Sequence, residues 1–272
     1  MKTPVKSILR PKKPAVALKA PPVSITVTDL TMRFPVYGVD AKSLKKHLAK
    51  ITVGGKLAKS TGGVTEVTAL TGLNMKLKAG DRLGLIGHNG SGKTTLLRAL
   101  SGAYEPDEGS IEVEGRITAL LDLSLGIDPT ATGIDNIRLR GRIAGLSSRD
   151  IEAKMDEIAT FTGLGPFLAM PLKTYSAGMQ ARLAFAVATS VDADVLLMDE
   201  WIAVGDSQFQ RIAHQRLLKL VERAGILVLA SHDLDLIRLY CNKVMRLDSG
   251  IASEIVDIRK LDTLIKPPAA AE

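Results

Sequence analysis

Two short stretches of the sequence combine residue types that could carry out phosphate chemistry. The first is GHNGSGKTT, in which Gly87 is followed after four residues by Gly92, Lys93 and Thr94. Glycines allow successive backbone N–H groups to converge on phosphate oxygens at a helix N-terminus, where the dipole favours anions. Lysine can reach the β- and γ-phosphates, and the threonine hydroxyl can join a Mg2+ coordination shell. The pattern therefore predicts a phosphate-binding loop, formed by Gly87, Asn89, Gly90, Ser91, Gly92, Lys93, Thr94 and Thr95.

The second stretch is VLLMDE, an apolar run that ends in Asp199 and Glu200. A buried strand with this sequence delivers its two carboxylates to the edge of a sheet at which α/β proteins bind ligands. Asp199 could hold Mg2+ and Glu200 could polarise an attacking water as a general base. The alternative is a strand that simply ends in two solvated acids. The phosphate-binding loop makes the first interpretation the better one.

The elements that must position these stretches alternate along the chain. Short apolar segments predicted as strands are SITVTDL, TALTGLNMKLK, DRLGLIG, GSIEVEGRITAL, DVLLMDE, ILVLAS and KVMRLD. Helices are predicted to begin at Thr95, to fill most of the region 134–188, to cover Ser207–Ala224, and to start at Asp233. Ser147 and Asp150 have the spacing of a capping box. This alternation predicts an α/β domain with a parallel sheet and crossover helices.

Composition limits the classes of partner. The net charge is +7, but residues 1–22 carry six basic residues and no acid, so the rest of the chain is nearly neutral and has no basic stripe for nucleic acid. The Pro-rich segment 1–22 is predicted to be a disordered tail, either without a role or weakly attracted to an anionic membrane. No apolar run reaches the ~20 residues of a membrane span, so a cytoplasmic protein is expected. The single cysteine, Cys241, excludes an internal disulfide.

A third stretch, YSAGMQARL, resembles the signature sequence of ATP-binding cassette (ABC) ATPases, usually LSGGQ, and keeps its Ser176 and Gly178. Two further positions match motifs of this family in order. Asp206 in AVGD matches an aspartate that crosses between subunits, and His232 in SHD matches a switch histidine that senses the γ-phosphate. The resemblance covers about residues 24–250.

The resemblance implies an α/β P-loop NTPase fold with a RecA-like mixed or parallel sheet, an antiparallel β subdomain, and a helical subdomain at about 134–188. The nucleotide-binding domain would span 23–250, followed by a short tail at 251–272. Two copies would sandwich ATP and Mg2+, with Ser176 and Gly178 of one chain facing the other chain's nucleotide. The catalytic residues would be Glu200, His232 and Lys93, and the metal ligands Thr94 and Asp199. Phe34 or, alternatively, Tyr37 would stack on adenine.

The sequence departs from the family pattern at two positions. The switch segment LDLSLG (residues 121–126) has no glutamine, and Asp122 is the candidate for a partial substitute. Trp201 follows Glu200 where a proline or an aliphatic residue is usual.

Other segments are similar to the ATPase subunits of bacterial polysaccharide exporters, notably DEWIAVGDSQFQ and YSAGMQARLAFAVA. This similarity implies an ATPase on the cytoplasmic face of the inner membrane, paired with a separately encoded ABC-2 type permease that moves a lipid-linked glycan. The short C-terminal segment predicts that no carbohydrate-binding domain is present. The alternatives are an exporter of drugs or lipids, a soluble ABC protein acting on ribosomes or DNA, and a nucleotide-binding regulator.

Overall fold

The structure is a computed structural model that describes residues 23–36, 56–59, 65–123, 126–202 and 204–265. The predictions for the tail at 1–22 and for Tyr37 fall outside these residues. The expected α/β architecture is confirmed: two sheets and a helical region surround the two phosphate-related stretches.

A seven-stranded mixed sheet forms the centre of the domain. Its strands are β4 (Arg82–Ile86), β6 (Ile117–Leu120), β7 (Val195–Asp199), β8 (Ile226–Ala230), β9 (Lys243–Asp248), β10 (Ile251–Ala252) and β11 (Val256–Asp257). The order is β10-β9-β4-β8-β7-β6, with β11 also paired to β9. The pairs β9–β4, β4–β8, β8–β7 and β7–β6 are parallel. Because both faces of the sheet are covered, the inner strands β7 and β8 are apolar runs, and every residue of β8 is buried.

Three helices lie beside this sheet. They are α1 (Lys93–Leu100), α5 (Ser207–Arg223) and α6 (Leu234–Tyr240). Leu96 and Leu97 of α1 pack in the core shared with the second sheet, whereas Leu217 of α5 and Ile237 of α6 pack in the core on the opposite face. The loop before α1 is thereby held at one end of the sheet.

The second sheet is antiparallel and has the order β2-β3-β1-β5. Its strands are β1 (Ser24–Val36), β2 (Lys56–Lys59), β3 (Thr65–Lys78) and β5 (Glu108–Glu114). The prediction of one strand over GSIEVEGRITAL was wrong, because β5 belongs to this sheet and β6 to the central one. Gly115, with a φ of +111°, separates the two strands, and a Cβ there would lie 2.9 Å from the Cβ of Asp194.

The helical region contains α2 (Gly133–Ile143), α3 (Ser148–Thr162) and α4 (Ala177–Ala188). It has its own apolar core, which includes Ile137, Leu172 and Leu183. The capping box at the start of α3 is confirmed: Ser147 Oγ accepts a hydrogen bond from the Asp150 N–H at 3.2 Å.

The described part of the C-terminal segment packs on the central sheet. After β10 and β11, a short helix α7 (Leu261–Ile265) buries Leu261 completely. Arg246 of β9 donates to the Leu264 carbonyl at 2.9 Å.

Cys241, expected to be a small buried residue, is 7% exposed, and burial raises the pKa of its thiol to about 12.

Candidate nucleotide site

The parallel strands of the central sheet bring the predicted catalytic stretches to one edge. β4 ends at Ile86, directly before the phosphate-binding loop, and β7 ends at Asp199. β8 lies between them and ends at Ala230, just before Ser231 and His232. The carboxyl ends of parallel strands are where open α/β sheets bind ligands.

The loop between β4 and α1 requires glycine because its backbone runs against neighbouring strands. A Cβ at Gly87 would lie 2.2 Å from the Leu247 carbonyl oxygen, and one at Gly92 would lie 2.9 Å from that of Ala69. Gly250, in the turn after β9, is hydrogen-bonded both to this loop and to β3. Its N–H donates to the Ser91 carbonyl at 3.0 Å, and its carbonyl accepts from the Thr71 N–H at 2.9 Å.

The loop fits a phosphate group. α1 begins after Gly92 without any side-chain cap, so its first N–H groups can be directed to an anion. Ser91 is 1% exposed, and among the described residues its hydroxyl has no hydrogen-bond partner. Asn89 and Gly90 are exposed at the tip. His88 lies 3.3 Å from the Asp248 carboxylate.

The Lys93 ammonium donates to two carbonyls of its own loop, those of Gly87 at 2.8 Å and of His88 at 3.0 Å. Burial lowers the pKa of Lys93, while the nearby carboxylates of Asp199 and Glu200 oppose this effect. A phosphate group would supply the anionic partner that this buried cation does not find in its two carbonyl contacts.

The two predicted metal ligands are in direct contact. Thr94 Oγ1 donates to Asp199 Oδ2 at 2.6 Å. A hydroxyl and a carboxylate are hard oxygen donors of the kind that Mg2+ binds, together with water and phosphate. The donor set therefore fits the predicted cation.

Glu200 is fixed by the segment that follows β8. Ser231 Oγ donates to its Oε2 at 2.7 Å, and the His232 N–H donates to its Oε1 at 3.1 Å. His232 Nδ1 lies 2.9 Å from the same Oε1, and this hydrogen bond raises the pKa of the largely exposed imidazole. Ser231 was not singled out from the sequence, although its place beside His232 at a strand end was the available signal.

The signature residues lie on another part of the surface. Ser176 caps α4, its Oγ accepting from the Met179 N–H at 3.2 Å, and Gly178 is exposed in the first turn. Both line a groove of about 570 Å3. Asp206 lines the same groove, caps α5 and forms an ion pair with Arg182 of α4. The backbone N–H of Phe209 and the Arg182 guanidinium lower the pKa of Asp206.

Phe34, near the end of β1, packs against another aromatic side chain. Its ring is half-buried and meets the edge of Tyr104 at a centroid distance of 5.3 Å. Stacking on adenine by Phe34 or Tyr37 stays a prediction.

The glutamine-free switch segment follows β6 and contacts the helical region. Arg140 of α2 donates to the Leu123 carbonyl. Burial lowers the pKa of Arg140, while the charge of Asp122 opposes this effect. Asp122 and Arg140 both line a cavity of about 550 Å3 between the sheet and α2. No sequence pattern around Arg140 indicated this contact.

In the described part of the chain, no helix has the length and apolar character to cross a membrane.

Comparison with known proteins gives consistent results. The sequence profile of the ABC transporter family matches residues 70–203. The chain is 41% identical to the O-antigen export system ATP-binding protein RfbE of Yersinia enterocolitica, over 85% of this chain and 97% of that protein. It is 41% identical to the corresponding protein RfbB of Myxococcus xanthus, over 70% of this chain but only 43% of that protein.

A teichoic acids export ATP-binding protein, TagH of Levilactobacillus brevis, is 34% identical over 85% of this chain and 61% of its own length. Among solved structures, the ATP-binding cassette MJ0796, in a dimeric post-hydrolysis state with ADP and Pi, superimposes with a TM-score of 0.62. That match covers 86% of this chain and 99% of the solved chain at 19% identity, so it bears on the fold alone.

Proposed function

Because the chain belongs to the ABC transporter family of ATP-binding proteins and is an ABC ATPase, we propose that it powers an exporter of a lipid-linked, O-antigen-like polysaccharide. The observation that carries the catalytic part is the cluster of Lys93, Thr94, Asp199, Glu200 and His232 at one sheet edge. The relatives named for O-antigen and teichoic acid export support the substrate class.

Each residue of the cluster has a distinct task in this proposal. Lys93 leaves the carbonyls of its loop for the β- and γ-phosphates, and the N–H groups at the start of α1 bind phosphate oxygens. Thr94 and Asp199 would hold Mg2+, which would supply positive charge against the phosphates. Glu200 orients the attacking water and accepts its proton as the general base. Ser231 and His232 hold that carboxylate in place.

A second copy of the chain completes each site. Ser176 and Gly178 present a hydroxyl and an uncrowded helix N-terminus on an exposed surface, suited to the γ-phosphate of a nucleotide bound by the partner. ATP then stabilises the closed pair because it contacts both copies, and hydrolysis removes that link. Asp206 connects this surface to α5, because it caps α5 and forms an ion pair with Arg182 of α4.

Transport of the glycan across the membrane requires a membrane-spanning partner. We assign this role to a separately encoded ABC-2 type permease, which the chain contacts from the cytoplasmic face of the inner membrane. Closure and opening of the ATPase pair would be transmitted to that permease, and the lipid-linked glycan would be reached only through it.

The decisive experiment replaces Glu200 with Gln in the native host and locates the surface polysaccharide. We expect lipid-linked glycan to accumulate inside and to disappear from the surface. Glu222→Gln is the matched control, because Glu222 is exposed on α5. An unchanged surface, in cells whose purified Glu200→Gln protein no longer hydrolyses ATP, would remove the polysaccharide assignment and favour an exporter of drugs or lipids.

A further inference from the structure

Glu200 has an unusual backbone conformation. Its φ is +69°, in the left-handed region that residues other than glycine adopt rarely. Such a conformation persists only where the surroundings hold it, and it is common at catalytic positions. The contacts on both sides of Glu200 therefore decide whether its carboxylate stays where Ser231 and His232 reach it.

The preceding side of Glu200 is held by the sheet. Its N–H donates to the Ala230 carbonyl at 2.8 Å, which continues the pairing of β7 with β8 beyond Asp199. This hydrogen bond fixes the peptide unit that enters Glu200 but does not restrain the one that leaves it.

The following side is held by an aromatic stack. Trp201 lies nearly parallel to Tyr240, with a centroid distance of 4.3 Å and an interplanar angle of 14°. The ring of His214 on α5 lies 5.6 Å away on a tilted plane. Trp201 and Tyr240 are both half-buried against the core between the sheet and the helices α5 and α6. An aliphatic side chain or a proline at position 201 has no flat ring to stack on Tyr240.

The stack closes a ring of contacts around the catalytic carboxylate. His232 contacts the Glu200 side chain, α6 starts two residues later, and α6 ends at Tyr240. Ile237 of α6 is fully buried and fixes the helix over β4, where a Cβ on Gly84 would lie 2.6 Å from its Cγ2. The same rigid helix thus connects both ends of Glu200: its carboxylate through His232, and its following peptide through Trp201.

We propose that Trp201 is a positioning residue for ATP hydrolysis: by stacking on Tyr240, it keeps Glu200 in its left-handed conformation, with the carboxylate aligned to His232. This role rests on the proposed function of Glu200 as the general base. Trp201 does not touch the reacting atoms and acts through the backbone that it shares with Glu200.

The test uses the full chain with MgATP and the variants Trp201→Leu, Trp201→Phe, Tyr240→Leu and Tyr240→Phe. We expect both leucine variants to lower kcat by roughly 10- to 100-fold, the cost of misplacing a reacting group by about 1 Å, with KM for ATP unchanged. The phenylalanine variants keep a ring and should retain most of kcat. Leu239→Ala, at an exposed position beside Tyr240, is the control. A lower thermal midpoint with unchanged kcat in Trp201→Leu would overturn the proposal.

A double variant separates this inference from the proposed function. If Trp201 acts through Glu200, then adding Trp201→Leu to Glu200→Gln should cause no further loss of turnover. A further loss as large as in the wild-type background would overturn the positioning role. Glu200→Gln alone decides the base assignment: if that variant kept full turnover, the proposed role of Glu200 would fail, whatever the leucine variants did.

Fluorescence reports on the stack independently of activity, because Trp201 is the only tryptophan of the chain. Tyr240→Leu should shift the emission to longer wavelength and increase quenching by acrylamide, whereas Tyr240→Phe should leave both near the wild-type values. Emission that is identical in wild type and Tyr240→Leu would show that the rings do not stack in solution and would overturn the proposal.

Discussion

Thr94 and Asp199 are hydrogen-bonded to each other at 2.6 Å, although 105 positions separate them in the sequence. The contact joins the start of α1 to the end of β7, the two elements predicted to share a metal ion. The two oxygen donors that would hold Mg2+ are therefore already side by side, and the Thr94 hydroxyl could offer its lone pairs to the ion while its hydrogen stays on the Asp199 carboxylate.

The first prediction concerns Asp199→Asn. Loss of the carboxylate should weaken Mg2+-dependent ATP binding by at least about tenfold, the lower end of the cost of losing even an outer-shell partner of a metal site. Binding of ATP without Mg2+ should not weaken, because a negative charge near the phosphates has been removed. Calorimetric titrations with and without Mg2+ measure both values, and equal losses under the two conditions would contradict a metal role.

The second prediction concerns Lys93→Ala. Lys93 is the buried cation of the phosphate-binding loop, and hydrogen bonds to charged groups contribute about 1.5–3 kcal/mol. ATP affinity should therefore fall roughly 10- to 150-fold, as measured by equilibrium binding. Lys219→Ala, at an exposed position on α5, should bind ATP like the wild type. Wild-type affinity in Lys93→Ala would count against the loop assignment.

The third prediction concerns His232, whose pKa is raised by its hydrogen bond and its charge interaction with Glu200. The charged imidazole therefore adds stability that is fully present below the unfolded pKa of about 6.5 and is lost as pH rises through the higher folded pKa. An NMR titration should place the His232 pKa above that of a free histidine. Glu200→Gln should lower it, and Glu222→Gln should not. A value that does not respond to Glu200→Gln would contradict the pairing.

The fourth prediction separates two roles of Asp206, which caps α5 and pairs with Arg182. Asp206→Ala removes the acceptor for the N–H groups of Gln208 and Phe209 and should cost about 0.5–2 kcal/mol of unfolding free energy. Asp206→Asn keeps a capping oxygen and loses only a largely exposed ion pair, worth about 0–1 kcal/mol. Urea denaturation should rank the alanine variant as the less stable, and the reverse order would give the ion pair the larger role.

Local sequence patterns were sufficient to predict much of the fold. Continuous apolar runs indicated the parallel strands, and the capping box at Ser147 indicated the start of α3. The division of GSIEVEGRITAL could not be read in the same way, because β5 and β6 have similar strand patterns. They join different sheets, since β5 pairs with β1 and β6 with β7, and both partners are distant in the sequence.

Prediction of the candidate nucleotide site from the sequence has the same limit. The residues of the phosphate-binding loop and the acidic pair could be identified because each set is contiguous in the sequence. Trp201 and Arg140 could not be interpreted, since their partners Tyr240 and Leu123 become neighbours only after α6 and α2 have packed. Contacts between a helix and the loop after a distant strand leave no periodic signal in the sequence.

The support of the phosphate-binding loop by Gly250 has a consequence for synthesis of the chain. Gly250 follows Ser91 by 159 residues, and its N–H donates to the Ser91 carbonyl while its own carbonyl binds β3. At ribosomal rates of about 5–20 residues per second, that turn emerges roughly 8–30 s after the loop. The loop lies in the first half of the chain, yet it reaches its final form only when most of the polypeptide has been made. A nascent chain therefore cannot form a fully supported nucleotide loop until the central sheet has acquired β9.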